Sequence, residues 1–220
     1  MIVDDETPEP ERQPIFHAPW PVTLMVGVIL IAFLGQGFLS EAAVTSLAFA
    51  PPDLNSGRWW TLFTALFIHV GWAHVLLNGG GVLAFGTPVV RAFGGRALGI
   101  GCALLFYLGC GVFASLGHAA FHLEDPTPLA GASGAVSGLM AAAAQLIAGQ
   151  GRPGPLLSRP VIGMTAAWIV VNLIVAFTGI APGSGGAPVA WDAHLAGFAA
   201  GLALFRPLAW LSRQDDGQLH

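Results

Sequence analysis

Three apolar stretches of the sequence each carry side chains that could take part in hydrolysis. HVLLN contains His74 and Asn78, GASG contains Ser133, and DAHLAG contains His194. Polar and ionisable side chains are costly inside a bilayer, so several of them at one depth indicate a function. The chemistry that this set permits is cleavage of a peptide bond within the membrane.

Ser133 and His194 are the candidate reacting pair. A serine hydroxyl is a weak nucleophile until a base removes its proton, and histidine, with an ordinary pKa of about 6.5, suits that role. Small residues would let the two helices approach. Gly197 and Gly201 form a GxxxG motif within about 60° of His194 on a helical wheel, and Gly134 follows Ser133 directly.

Hydrolysis also requires donors for the oxyanion of the tetrahedral intermediate. The backbone amide of Ser133 would be a donor because it lies at a predicted helix N-terminus. The side-chain amide of Asn78 would be another. His74 lies four residues before Asn78, on the same helix face, and would add a further side-chain donor.

The histidines also raise the alternative of a metal site. His69 and His74 are five residues apart, about 140° around a helix, and lack the glutamate of the zinc-binding HExxH pattern. His118 and His122 have the favourable i, i+4 spacing, but the sequence offers no evident third ligand. We therefore predict no metal, and we interpret His118 and His122 as interfacial polar residues.

Asp192 lies close to His194 in sequence, which suggests a Ser-His-Asp triad. Side chains two residues apart on a helix point in directions about 160° apart. The Asp192 carboxylate would therefore point away from the His194 imidazole. The sequence therefore favours a two-residue dyad.

The composition defines the elements that must position these groups. Hydrophobic residues make up 55% of the 220 residues, charged residues 9%, and the mean hydropathy is +0.71. Because a membrane-spanning helix needs about 20 apolar residues, the chain has room for about five to seven spans. We predict an all-α polytopic membrane protein, and nothing in the sequence suggests nucleic acid binding.

Hydropathy and turn signals predict a bundle of six transmembrane helices over residues 21–211. The predicted spans are 22–39, 73–93, 96–120, 133–150, 161–180 and 190–211. A long connection over 40–72 is predicted to form short interfacial helices. Residues 1–20 are predicted to be an acidic, disordered cytoplasmic tail, and 212–220 a short cytoplasmic tail.

The arginines predict the orientation of the bundle. Seven of the eight lie in the tails and in the loops after even-numbered spans, and only Arg58 lies in the opposite set. This bias places both termini in the cytoplasm. Helices two, four and six then begin at the extracytoplasmic side, so His74, Asn78, Ser133 and His194 share the outer third of the membrane.

Three motifs together resemble the rhomboid family of intramembrane serine proteases. They are HVGWAHVLLN from His69 to Asn78, GASG from Gly131 to Gly134, and AHLAGFAAG from Ala193 to Gly201. The resemblance spans roughly Pro21 to Leu211, with the motifs in the expected order on helices two, four and six.

The resemblance implies a six-helix rhomboid-like bundle with a Ser-His dyad in a water-accessible cavity that opens to the extracytoplasmic side. Ser133 corresponds to the nucleophile, His194 to the general base, and His74 with Asn78 to the oxyanion-hole side chains. His69, Gly131, Gly134, Gly197 and Gly201 correspond to supporting positions. The family cleaves transmembrane segments of other membrane proteins in the lipid bilayer and needs no cofactor. The implied location is a cell membrane, as a multi-pass protein of a bacterial inner membrane.

The chain departs from the family pattern at two positions. An arginine often follows the tryptophan pair of the first loop, whereas here Thr61 follows the pair and Arg58 precedes it. The position four residues after the nucleophile often carries an aromatic that stacks on the histidine, and here it is Ser137. Loss of that aromatic is expected to loosen His194 without removing a catalytic group.

The leading hypothesis is therefore an intramembrane serine endopeptidase that acts through a covalent acyl-enzyme. The main alternative is a catalytically silent rhomboid-like protein that binds transmembrane helices. A small-solute transporter would show internal repeats and charged residues at mid-depth, and neither is evident. A glycine-rich segment, from 179 to 186, is predicted to be mobile and to assist substrate entry.

Overall fold

A computed structural model describes residues 18–179 and 189–213. Across these residues the chain is helical, with turns and two isolated β-bridges between the helices, so the all-α prediction is confirmed for this part. The predicted N-terminal tail falls almost wholly outside the described residues. The same holds for most of the predicted C-terminal tail and for most of the predicted mobile segment.

Nine α-helices are present in the described ranges. In chain order they are α1 Trp20–Gln36, α2 Glu41–Leu47, α3 Thr61–Thr64, α4 Trp72–Gly81, α5 Thr87–Phe93, α6 Ala97–Ala119, α7 Ser133–Ala148, α8 Arg159–Thr178 and α9 Trp191–Arg213. Short 3-10 turns, Pro51–Leu54 and Ala65–Phe67, flank α3.

Four helical segments are long and apolar enough to cross a membrane. They are Trp72–Phe93, which combines α4 and α5, together with α6, α8 and α9. Helices α1 and α7 are apolar but shorter, at 17 and 16 residues. The prediction that the bundle has six membrane spans is therefore neither confirmed nor contradicted.

Helix α7 lies at the centre of the molecule, whereas α8 lies at its edge. Most residues of α7 are buried, and many of them are glycine or alanine. The buried residues of α8 are Val161 and Asn172. Because α7 consists largely of small residues, neighbouring helices can approach its main chain closely. One of these neighbours is α9.

The contact between α7 and α9 depends on glycine on both helices. A side chain at Gly197 would overlap the carbonyl oxygen of Gly134, and one at Gly201 would overlap that of Gly138. The main chains therefore touch at two points one turn apart, which brings the N-terminal ends of both helices together.

The helix formed by α4 and α5 contains a π-helical segment, Val82–Gly86. Pro88 follows near the start of α5. Pro88 has no N–H to donate to the preceding turn, and the wider π-helical turn accommodates the missing hydrogen bond.

Helix boundaries differ from the predicted spans at two places that matter. The first helix ends at Gln36, not at residue 39, because Gly37 begins a turn. Helix α6 ends at Ala119, one residue before the end of the predicted span, and His122 lies in the following turn and not on the helix with His118. The i, i+4 helical relationship assumed for these two histidines is therefore wrong.

The connection between α1 and α4 is fixed by polar contacts. The Gln36 side chain donates to the carbonyl oxygen of His69 and accepts from its amide, each at 2.9 Å. The Arg58 guanidinium lies 2.9 Å from the Asp53 carboxylate. Burial raises the pKa of Asp53, but hydrogen bonds from Arg58, Ala50 and Thr61 outweigh it and hold that pKa below its usual value. Arg58 and Thr61, where the chain departs from the family pattern, thus share one cluster.

Replacing Gly197 by alanine tests the α7–α9 contact. Alanine favours a helix by about 1 kcal/mol over glycine, but its methyl group would collide with the main chain at Gly134. Overpacking typically costs about 1–3 kcal/mol. We expect Gly197→Ala to lower the melting temperature in detergent.

The matched control is Gly163→Ala on α8, where an added Cβ meets no atom within 4 Å. This variant should keep or raise the melting temperature. Equal melting temperatures for the two variants would contradict the close contact.

Candidate active site

Ser133 and His194 form a hydrogen-bonded pair. The hydroxyl oxygen of Ser133 lies 2.8 Å from Nε2 of His194. Ser133 is the first residue of α7, and His194 lies in the first turn of α9. The first α7–α9 glycine contact joins Gly134, the residue after Ser133, to Gly197, three residues after His194, so it holds the two helix ends close enough for this hydrogen bond.

Asn172 holds the other nitrogen of His194. Its Oδ1 lies 2.9 Å from Nδ1 of His194, and its Nδ2 donates to the carbonyl oxygen of Trp168 at 2.9 Å. The contact with the Trp168 carbonyl sets the orientation of the amide, so Oδ1 faces the imidazole and can only accept. Nδ1 of His194 therefore carries the hydrogen, and the lone pair of Nε2 faces Ser133.

Asn172 is a residue of the site that the sequence motifs did not predict. The available signal was a single side-chain amide in the interior of an apolar 20-residue helix, where an amide needs a partner. The identity of that partner depends on how α8 is rotated against α9, and the composition of α8 gives no direction because the helix is apolar all round.

The aromatic neighbour of His194 comes from α8. The Trp168 ring lies 5.9 Å from the imidazole, centroid to centroid, at an interplanar angle of 32°. Ser137, at the position where the family often has an aromatic, donates its hydroxyl hydrogen to the carbonyl oxygen of Ser133 at 2.7 Å. His194 is thus flanked by an indole and held by an amide, although the family aromatic is missing.

His74 and Asn78 lie on α4 beside Gly131. Asn78 is buried and donates from Nδ2 to the carbonyl oxygen of His74 at 3.0 Å. Gly131 has a φ of +118°, and a Cβ at this position would lie 2.6 Å from Nε2 of His74. Glycine is therefore required at position 131 both by its backbone conformation and by contact with His74.

His69 packs against His74 from the first loop. The two rings lie 5.0 Å apart in an edge-to-face arrangement. Burial lowers the pKa of His69 from its ordinary value of 6.5 to about 4, and repulsion from the His74 ring adds to the effect. His69 is therefore a neutral, buried support for His74 at neutral pH.

Asp192 does not face His194 but points to the end of α6. Its carboxylate lies 3.0 Å from Nδ1 of His118 and 2.9 Å from Nε2 of His122. The expectation that this histidine pair has no third group beside it is therefore wrong. Each of the two histidines is 70 or more residues from Asp192 in sequence, so spacing alone could not reveal the cluster.

One cavity of about 840 Å³ joins these groups. Its wall includes side chains named above from five helices and from the turn after α6: His74, Asn78, His118, His122, Ser133, Trp168, Asn172, Asp192 and His194. The volume is within the usual range for binding sites of small ligands or short peptide segments. The hydroxyl–imidazole pair is thus open to a molecule that enters the cavity.

A comparison with protein families matches residues 56–210 to the rhomboid domain. The match covers more than half of the chain, and the chain belongs to the rhomboid family. The family assignment suggested by the three sequence motifs is therefore confirmed.

Two curated relatives show how far the similarity extends. Rhomboid protease GluP of Bacillus subtilis is 38% identical over 89 residues, which are 40% of this chain and 16% of GluP. RHOMBOID-like protein 12, mitochondrial, of Arabidopsis thaliana is 35% identical over 100 residues, 40% of this chain and 30% of that protein. The chain thus matches less than a third of the length of either relative.

The lowered pKa of His69 predicts how stability depends on pH. The unfolded chain binds a proton at His69 near pH 6.5 but the folded protein only near pH 4. Stability from this group is therefore complete above pH 6.5 and decreases as the pH falls toward 4. We expect the melting temperature of His69→Gln to fall less steeply than that of the wild type between pH 7 and pH 4.5.

The comparison uses the slope and not the absolute melting temperature, because the substitution removes ring contacts at every pH. Parallel slopes for the two proteins would show that His69 does not titrate differently in the folded and unfolded states.

Proposed function

We propose that this chain is an intramembrane serine endopeptidase, with Ser133 as nucleophile and His194 as general base. The observation that carries the proposal is the 2.8 Å distance between the Ser133 hydroxyl and Nε2 of His194. Membership of a family with protease-named members supports it. Such a pair is the minimal arrangement that activates a serine.

In the proposed first step, the Ser133 oxygen attacks the scissile carbonyl carbon while Nε2 of His194 takes the hydroxyl proton. The tetrahedral intermediate collapses as the imidazolium gives that proton to the leaving amine, which breaks the C–N bond. Water then attacks the acyl-enzyme with His194 again as base, and Ser133 is released with its proton restored.

The negative oxygen of the intermediate would be stabilised by donors at the head of the cavity. The backbone amide of Ser133 lies at the N-terminus of α7, where amides lack intrahelical partners. Asn78 uses one N–H on the carbonyl oxygen of His74, so its second is available to the substrate. With His74 these groups form the proposed oxyanion hole, in which a single donor is typically worth about 2.7–4 kcal/mol.

The proposed substrates are transmembrane segments of other membrane proteins, reached within the lipid bilayer. The six-span topology, cytoplasmic termini and a cavity opening to the extracytoplasmic side of a cell membrane, such as a bacterial inner membrane, are parts of the same proposal. They are supported by the arginine bias of the sequence.

Cleavage of a model transmembrane substrate in liposomes tests the assignment. Ser133→Ala removes the nucleophile and His194→Ala removes the base, so each should reduce cleavage by roughly a thousandfold or more. The matched control is Ser137→Ala, one turn further along α7, whose hydroxyl donates to the Ser133 carbonyl oxygen in the same helix. It should retain most of the activity.

A fluorophosphonate probe separates this function from that of a silent helix-binding protein. Only an activated serine reacts with the probe, so the wild type and Ser137→Ala should be labelled and Ser133→Ala should not. Absence of labelling in wild type, or full cleavage by either alanine variant at the pair, would refute the proposal.

Asn172 is proposed as a positioning residue that acts through His194. Asn172→Leu removes the acceptor for the Nδ1 hydrogen, so we expect kcat to fall by roughly tenfold or more, with little change in KM. A Cys-His-Asn arrangement uses an asparagine in the same manner in papain-like proteases.

Asn172→Asp should rescue part of the loss because its carboxylate also accepts a hydrogen bond. Thr165→Ala is the control on the same helix, since Thr165 bonds only to the Val161 carbonyl oxygen in this structure. Equal kcat in wild type and Asn172→Leu would exclude the positioning role.

A further inference from the structure

Three side chains with metal-binding atoms meet where the end of α6 reaches the first turn of α9. We call them the His-His-Asp cluster: His118, His122 and Asp192. One ligand atom from each lies within 4.8 Å of the others. We propose that the His-His-Asp cluster binds a divalent transition-metal ion, with zinc as the ion that fits best.

The donor set selects the class of ion. Two imidazoles and one carboxylate suit zinc and related first-row metals, whereas magnesium and calcium prefer oxygen ligands alone. Zinc sites with two histidines and one carboxylate commonly keep a fourth position for water. The His122 side chain is about half exposed and lines the cavity, so the cluster can be reached from it.

Two of the three separations between ligand atoms are close to what a tetrahedral ion requires, and all three are below 4.8 Å. Metal–ligand bonds of about 2.0–2.2 Å place neighbouring ligand atoms roughly 3.3–3.5 Å apart. The present nitrogen–oxygen distances are 3.0 Å for His118 and 2.9 Å for His122. An increase of a few tenths of an ångström in these distances would therefore admit the ion. His122 can move by that amount because it lies in a turn.

The orientation of the rings also suits a shared ion. The His118 and His122 rings are stacked with centroids 4.5 Å apart at 27°, and each directs one nitrogen at the same carboxylate. In the metal-free protein these nitrogens carry hydrogens that the carboxylate accepts. An ion would replace both hydrogens and bind the same three groups.

The charge of the cluster favours a cation. The Asp192 side chain is only 10% exposed and also accepts a hydrogen bond from the Ala193 amide. The cluster thus includes a carboxylate in a largely desolvated position, where a positive partner stabilises it. A divalent ion would supply that charge and connect α6 to the beginning of α9, two residues before His194.

This site is independent of the proposed protease function. Its test uses the full chain, purified in detergent with any affinity tag removed, and measures Zn²⁺ binding by competition with a chromogenic chelator. We expect saturable binding of a single ion per chain. His122→Ala and Asp192→Asn should each weaken the affinity by roughly tenfold or more.

Asp125→Asn is the matched control. Asp125 lines the same cavity, but its carboxylate accepts a hydrogen bond from the Thr127 amide and lies outside the ligand cluster. Its affinity for Zn²⁺ should stay within about threefold of wild type, in line with a residue that does not touch the ion.

Co²⁺ provides a second measurement, because tetrahedral cobalt has strong visible absorption that depends on its ligands. The wild type should develop this spectrum, and His122→Ala should not. No saturable Zn²⁺ binding in wild type, or unchanged affinity in both cluster variants, would overturn the proposal. The second result would assign the bound ion to other histidines.

Discussion

The hydrogen bond between Ser133 and His194 depends on direct contact between the main chains of α7 and α9. Two pairs of glycines allow that contact, and any side chain at Gly197 or Gly201 would separate the helices. The distance between the Ser133 hydroxyl and the His194 imidazole is thus set by the absence of side chains at these glycines, the first of which follows Ser133 directly. In a bilayer, where lipid tails are as apolar as leucine, close packing of small residues is a main source of such association.

The site is built in layers around this pair. Asn172 and Trp168 hold the imidazole from α8, and His74 and Asn78 face the cavity from α4, next to Gly131. His69 supports His74 from the first loop, and Gln36 fixes the backbone of His69 from the end of α1. The cavity therefore depends on helices that are distant in sequence, and the loop between α1 and α4 contributes to its stability.

The sequence predicted the parts of this arrangement that are local. Hydropathy identified the apolar helices, and the motifs around His74, Ser133 and His194 identified the family. Helical geometry also indicated correctly that Asp192 points away from His194. Asn172 and the partners of Asp192 were not predictable, because their contacts depend on how separate helices are rotated and packed.

Helix α8 is loosely packed against the bundle, yet it contributes a hydrogen bond to the site. It buries little of its own surface, with Val161 and Asn172 as its buried residues, yet Asn172 supplies the acceptor that orients the imidazole. An outward swing of this helix would cost little apolar contact but would break that hydrogen bond. The imidazole would then rotate freely about its side-chain bonds. In the proposed mechanism, the fraction of time that α8 is docked would thus set the fraction of molecules in which the imidazole is oriented toward Ser133.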